Sequence, residues 1–406
     1  MLKEFERLGN AVAHAWEKVG RDEDALADIA TNALIASKVL TTVDPNDIIT
    51  WLITSNQVPS QDAEDFGQPP VNVYVGEGFY IQALFWIDGT TAVHEHSFSG
   101  AFGVLHGSSV HSMYSFMSKK VVSKRLVIGQ TELVSAELLN RGDVRTILSG
   151  DRLIHSLFHL DRPSVSLVIR TSPKLHLPRP QYAYLKPFLA FDDTKLPKLQ
   201  MIQLRMLESL FATDLKAFWH VAGDMVSDCD PFVLSQVLAI AYRKADDSAN
   251  WDALLSRIAA ANKELVEYIV PCLKEGNRIN RLLSLRANVH DPIHRFFLAL
   301  LLNVPRREQI YKLVAQRFPS SDPKTLVLQW LGEIFGEERA GIRISQPALV
   351  LIDRILDDPD FERSKAALTK HFEVYHEIDE VTLRNSWRHI QNVDVLKPLF
   401  STSAVM

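Results

Sequence analysis

The sequence predicts an α+β chain in which an antiparallel β-barrel or sandwich lies between a helical N-terminal segment and an all-helical C-terminal region. Three observations predict it. Between Val71 and Arg170 short β-rich runs follow one another: VNVYV, FYIQALFWI, GAFGVL, SMYSFM, RLVIG, ELVSAELL and SVSLVIRT. Glycine turns separate many of them, at Gly76, Gly78, Gly89, Gly107 and Gly142. On either side of this stretch apolar residues recur at helical spacing instead.

The N-terminal segment is expected over residues 1–68. Ala11, Val12, Trp16 and Val19 share one helical face, and Leu26, Ile29, Ala33 and Leu34 another. Asp44-Pro45-Asn46 marks a turn, and an apolar stripe follows over Ile48–Ile53. The polar, acidic stretch from Val58 to Pro70 reads as a connection. The barrel is expected over residues 69–180, where Pro173, Pro178 and Pro180 end the strand pattern. The helical domain is expected over 195–406. Asp230-Pro231, Asp291-Pro292 and Asp322-Pro323 each precede an apolar-periodic run. The aspartate carboxylate accepts N–H groups of a first helical turn, and proline at the next position has no N–H left unsatisfied. Gly276 and Gly336 are the expected stops.

Composition narrows the function classes. The 406 residues are 47% hydrophobic and 23% charged, ordinary values for a folded chain. A chain of this length buries a large core without staples, so a metal site in it is expected to be functional. A net charge of −5 argues against a non-specific nucleic-acid face. The two cysteines, Cys229 and Cys272, fit no zinc spacing and predict a reducing, cytoplasmic location. The N-terminus has charges throughout and no signal-peptide core. The longest apolar run, Phe296–Leu302, is too short to span a bilayer. The expected partner is a small-molecule substrate, with no nucleic acid and no membrane; a homo-oligomer is compatible with the sequence.

Chemistry concentrates around His94-Glu95-His96. On a strand, side chains at i and i+2 point to one face. His94 and His96 are therefore expected to enter the barrel together, with Glu95 facing outward. A third ligand has to come from a distant strand, and His155 is the candidate. The alternative is that all three are structural barrel histidines. His159 is a partner of the site, a fourth contact or an ordinary half-exposed histidine. Parity places His106 outside, and His111 just beyond it is given no role. Phe79, Tyr80 and Trp86 are expected in the core rather than as a substrate platform. His290 and His294 read as surface residues, and His371 and His376 do not share a helical face. No Walker loop, dinucleotide fingerprint, GxSxG or HExxH is present.

These residues resemble the two motifs of the cupin superfamily. Gly89, His94, His96 and Gly107 match the first, with its acidic ligand position falling at Gly100. Gly142, Gly150 and His155 match the second, with Leu148 in the proline position, two extra residues before the histidine and His159 where the motif has asparagine. The resemblance covers about a quarter of the chain. Loss of the acidic ligand leaves three histidines, a pattern similar to the thiol dioxygenases, the cysteine dioxygenase branch. The resemblance implies a jelly-roll barrel with one divalent metal, iron(II) foremost, with nickel, zinc, manganese or copper also suited to neutral imidazoles. It implies an oxygenase acting on a small, anionic substrate.

The departures are specific. The Ser-x-His-x-Tyr of those enzymes is here Ser166, Val168 and Arg170, their thioether cysteine falls at Ala101, and their substrate-clamping arginine has no counterpart. Alternation from Ser166 aims Arg170 at the cavity, where it would grip a carboxylate or phosphate and, with His159, serve catalysis. If the strand ends near Val168, Arg170 is solvated instead. Two other functions stay open: a non-catalytic metal- or small-molecule-sensing module with a helical interaction domain, and a metal-dependent isomerase or hydrolase.

Overall fold

The computed structural model describes residues 2–61, 67–87, 89, 91–172, 181–192, 196–339, 341–373 and 379–401. Pro173, Pro178, Pro180 and His376 lie outside the described residues. Four helices come first: α1 (Leu2–Glu17), α2 (Glu23–Ser37), α3 (Val39–Thr42) and α4 (Pro45–Thr54). The strands are β1 (Pro70–Val75), β2 (Phe79–Trp86), β3 (Val93–His96), β4 (Gly100–His106), β5 (Ser108–Ser123), β6 (Leu126–Asn140), β7 (Val144–Ile147), β8 (Gly150–His159), β9 (Ser164–Thr171), β10 (Ala183–Leu185) and β11 (Leu189–Phe191). Helices α5 (Lys198–Thr213) to α16 (Lys397–Phe400) follow.

The strands form two layers. One sheet has the order β1-β2-β9-β4-β7, and the other closes on itself as β10-β11-β6-β5-β8-β3. Strand alternation decides what each face meets. Phe79, Ile81, Ala83 and Phe85 of β2, with Val165, Leu167 and Ile169 of β9, pack under Phe5, Leu8, Trp16 and Leu26 of the N-terminal helices. Each such fully buried Phe, Leu or Ile stabilises the fold by about 1.5–3 kcal/mol. The alternate residues Leu84, Trp86 and Val168 point the other way, into the space between the sheets, where they meet Phe98, Phe102 and Leu157.

Two features differ from the sequence expectation. The runs RLVIG and ELVSAELL are one strand, β6, because a hairpin turning at Lys124–Arg125 lets its ladder with β5 run on through several register shifts. The barrel also closes beyond residue 180, through β10 and β11. These have only three residues each, too few to show alternation, and gain strand geometry by pairing with β3 and β6.

The helix starts fall where the Asp-Pro pairs stand. Asp230 accepts from the Phe232 and Val233 amides, Asp291 from Ile293 and His294, and Asp322 from Thr325. Gly336 caps α12 (Pro323–Phe335). Gly276 does not stop a helix, because it lies inside α9 (Val266–Ala287). Mid-helix glycine costs only about 1 kcal/mol, and burial of Cys272, Leu273, Leu282 and Leu285 on the same helix outweighs it. The helical region shares cores with the barrel. Val110, Leu138, Phe158 and Leu160 join Phe296, Phe297 and Trp330, while Leu126, Ile128 and Leu189 join Phe218 and Leu234. No helix among the described residues is long and apolar enough to cross a membrane.

Candidate metal centre

His94 and His96 on β3 and His155 on β8 are buried, and one ring nitrogen of each lies within 4.8 Å of the others. The strands set this up. His94 pairs directly with His155, and a register shift follows before His96 meets Gly150. That shift takes up the long spacing ahead of His155, and Gly150 supports it with φ +69°, a left-handed conformation that suits glycine. The His96 and His155 Nε2 atoms are 2.8 Å apart, close enough for both to reach one ion at the usual metal–nitrogen distance of about 2.1 Å. Burial pushes all three imidazoles toward the neutral form. It acts first on His96, with His94 and Arg170 adding repulsion, and on His155, with His94, His96 and His111 adding theirs. On His94 burial outweighs the Ala92 carbonyl. Neutral imidazoles are the ligand form, so the donor set fits a divalent ion without first losing protons.

The proton positions follow from an acceptor that cannot donate. Glu137 on β6 is held by Arg145 through two hydrogen bonds, Nε to Oε1 at 2.8 Å and Nη2 to Oε2 at 2.5 Å. Its carboxyl is lowered to about 2, by Arg145 first and then by hydrogen bonding from His111. A carboxylate only accepts, so His111 Nδ1, 2.9 Å from Glu137 Oε1, donates. With its proton on Nδ1, His111 meets His155 Nδ1 through Nε2 at 3.0 Å, and in that tautomer Nε2 accepts. His155 is left with its Nε2 lone pair facing His96. On the other side His94 Nδ1 donates to the Ala92 carbonyl at 2.8 Å, which leaves its Nε2 as the lone-pair nitrogen. Such hydrogen bonds fix tautomer and ring orientation in metal sites.

His111 is therefore part of the site, against the sequence expectation that gave it no role. It is 1% exposed. The signal was the β5–β6 hairpin, which sets His111 directly opposite Glu137; cross-strand pairs of this kind interact. His106 is exposed, as parity predicts. Glu95 points away from His94 and His96 but is not solvated. β10 covers it, the Tyr184 hydroxyl donates to it at 2.5 Å, and burial raises its carboxyl.

The missing acidic ligand has a steric cause. A Cβ at Gly100 would sit 1.9 Å from the Ile169 carbonyl oxygen, so no side chain fits there. Ala101 faces the core under the N-terminal helices rather than the cavity. The cavity itself measures about 30 Å³, room for one or two waters. The histidines share its lining with Leu84, Trp86, Phe98, Phe102, Leu157, Ser166 and Val168.

Arg170 lies on β9, which continues to Thr171, so the strand does not end at Val168. It is 8% exposed, and its guanidinium sits 4.7 Å from the ring centres of Tyr80 and Phe98. Phe98 lines the cavity, which places Arg170 one ring away from it. His159 is not one of the three converging histidines. Its ring stacks on Trp86 at 4.6 Å, Ser109 and Ser164 hydroxyls meet its Nδ1 at 3.0 and 2.8 Å, and its Nε2 is buried with no partner among the described residues. Burial, and then Arg286, hold it down to about 3. Phe79 belongs to the core under the helices, Tyr80 lies beside Arg170, and Trp86 lines the cavity.

No protein-family model matches the chain, and no curated protein matches it. Among solved structures it is similar to a cupin-2 domain-containing protein from Shewanella frigidimarina, at 14% identity over 32% of this chain and 95% of that one, with a TM-score of 0.20. It is similar to hydroquinone 1,2-dioxygenase from a Sphingomonas species at 11% identity over 32% of this chain and 78% of that one, TM-score 0.21. A recombinant oxalate oxidase in complex with glycolate shows 14% identity over 38% and 73%, TM-score 0.21. At these values the chemistry of the site rests on its own geometry.

Proposed function

We propose that His94, His96 and His155 hold one divalent metal, iron(II) foremost, and that the barrel is a mononuclear non-haem oxygenase for a small, anionic substrate. The observation that carries this reading is the convergence of three buried, neutral imidazoles on a cavity. When bound, the ion supplies redox and Lewis-acid chemistry, and three neutral ligands leave its charge uncompensated, which favours an anionic partner. The chain's own residues do the rest. Glu137 and His111 hold His155 with its Nε2 lone pair toward the cavity. Leu84, Phe98, Phe102 and Leu157 limit the cavity to one or two waters, which strengthens electrostatic interactions inside. Arg170 adds positive potential on the His96 side and is the candidate anion clamp. The cavity has the volume of a molecule such as dioxygen or water, so an organic substrate requires its lining to open. The likeness to thiol dioxygenases extends to the metal cage and not to the residues at Val168 and Arg170, so weak or no cysteine oxidation is expected.

The test is metal analysis of the purified chain beside His94→Ala, His96→Ala and His155→Ala, followed by oxygen uptake with thiol and carboxylate substrates. Each variant should lose most of its metal and keep its fold. Full metal retention in all three sinks the site. Metal binding without oxygen uptake on any substrate assigns the barrel to the sensing-module reading instead.

A further inference from the structure

We propose that the seam between the barrel and the helical region is a second binding site, for a small anion carrying carboxylate or phosphate groups. The site is independent of the metal centre: Tyr114 on β5 faces this seam, whereas His111 on the same strand faces His155. The seam encloses a cavity of about 360 Å³, within the size range of small-molecule pockets. Pro187, Pro271, Pro305 and Pro398 give it stiff apolar walls, so little ordering accompanies binding.

Its charge balance is uneven. Lys186, Lys274, Arg278 and Lys397 line it against two carboxylates, Glu275 and Asp394. Both carboxylates are already engaged. Arg278 grips Glu275 with two bonds of 2.8 and 2.7 Å, and Arg281 holds Asp394 at 2.6 Å. Lys186 stands 4.0 Å from Glu275, at the limit of an ion pair. Lys274 and Lys397 are exposed and belong to none of the ion pairs among the described residues. Glu275 is thus shared among Arg278, Lys186 and, at longer range, Lys397, which leaves the cleft with more cationic than anionic groups. Thr131, also in the lining, has a buried hydroxyl with no hydrogen-bond partner among the described residues. Surplus cations beside apolar walls and an unsatisfied hydroxyl match an anionic group on a compact body, because charge attraction strengthens where water is thinned.

The experiment is calorimetric titration of the full chain with citrate and, separately, inorganic phosphate, at constant ionic strength. The two arms distinguish carboxylate from phosphate. Saturable binding of at least one probe is expected, weakened about tenfold (about 1.4 kcal/mol) in the Lys274→Gln/Lys397→Gln double variant, because two exposed, solvent-screened charges are removed. Both lysines are exposed, so the fold should survive, and circular dichroism checks it. The His94→Ala variant should bind the probe as the wild type does. Absence of saturable binding by either probe, equal affinity in the lysine double variant, or loss of binding in His94→Ala overturns the proposal.

Discussion

Replacing Glu137 with methionine should weaken metal binding although Glu137 touches no metal ligand. The chain of proton positions is the reason. Without the carboxylate, His111 Nδ1 loses its acceptor at 2.9 Å, and His111 is free to carry its proton on Nε2. It then donates to His155 Nδ1 across the 3.0 Å contact, which moves the His155 proton to Nε2, the atom that should bind the ion. Removing such an outer partner costs 10- to 100-fold in metal affinity, about 1.4–2.7 kcal/mol. Glu137→Gln should cost less, since an amide oxygen in the Oε1 position still accepts from His111. The pH dependence follows from the depressed carboxyl at about 2. A depressed carboxylate contributes above its unfolded pKa and loses that contribution as pH falls through the folded value. The gap between wild type and variant should therefore stay flat from pH 5 to 8. Competition with a chelator for cobalt(II), read by the ligand-field bands, measures it. An affinity of Glu137→Met within twofold of wild type, while His155→Ala loses its metal, refutes the tautomer argument and leaves the metal site standing.

Three further outcomes are expected. His159 takes up a proton in the unfolded chain near 6.5 but in the folded one only near 3, so it favours folding above 6.5 and that contribution is lost as pH falls. Denaturant melts of His159→Phe at pH 7, 5 and 4 should show a shallower acid slope, by up to about 1.4 kcal/mol per pH unit; identical slopes would count against burial of the neutral ring. Arg170→Met should keep metal and fold but weaken an anion bound at the cobalt(II) centre by roughly ten- to a hundredfold, and Arg170→Lys should not restore it, because lysine lacks the planar fork; unchanged anion titration removes the clamp. Truncation after Pro197 should expose Val110, Leu138, Phe158 and Leu189 and cause aggregation, read by light scattering; a soluble, metal-binding barrel would show that the shared cores are dispensable.

Whatever depends on near neighbours along the chain is legible in the sequence. Strand parity put His94 and His96 on one face and kept His106 outside, because side-chain direction on a strand alternates whatever the fold around it. The Asp-Pro pairs marked three helix starts, because a cap is made within three residues. Parity also put Ser166 and Val168 on the cavity face, and both line it, whereas Arg170 on the same strand packs against Tyr80 and Phe98 and is not among the lining residues. What lies across the ladder follows from contacts between strands far apart along the chain. The closeness of His155 to His96 depends on a register shift between strands far apart in sequence. The place of His111 depends on Glu137 and Arg145 arriving from two other strands. The absence of an acidic ligand at Gly100 depends on the backbone of β9 pressing where a Cβ would stand. Gly276 reads as a stop because glycine is a local breaker, yet α9 continues through it because burial on both sides outweighs that local cost. The short strands β10 and β11 have no pattern of their own and exist through the partners they pair with. Long-range pairing carries these outcomes, and its register is set by side chains that no local window of sequence brings together.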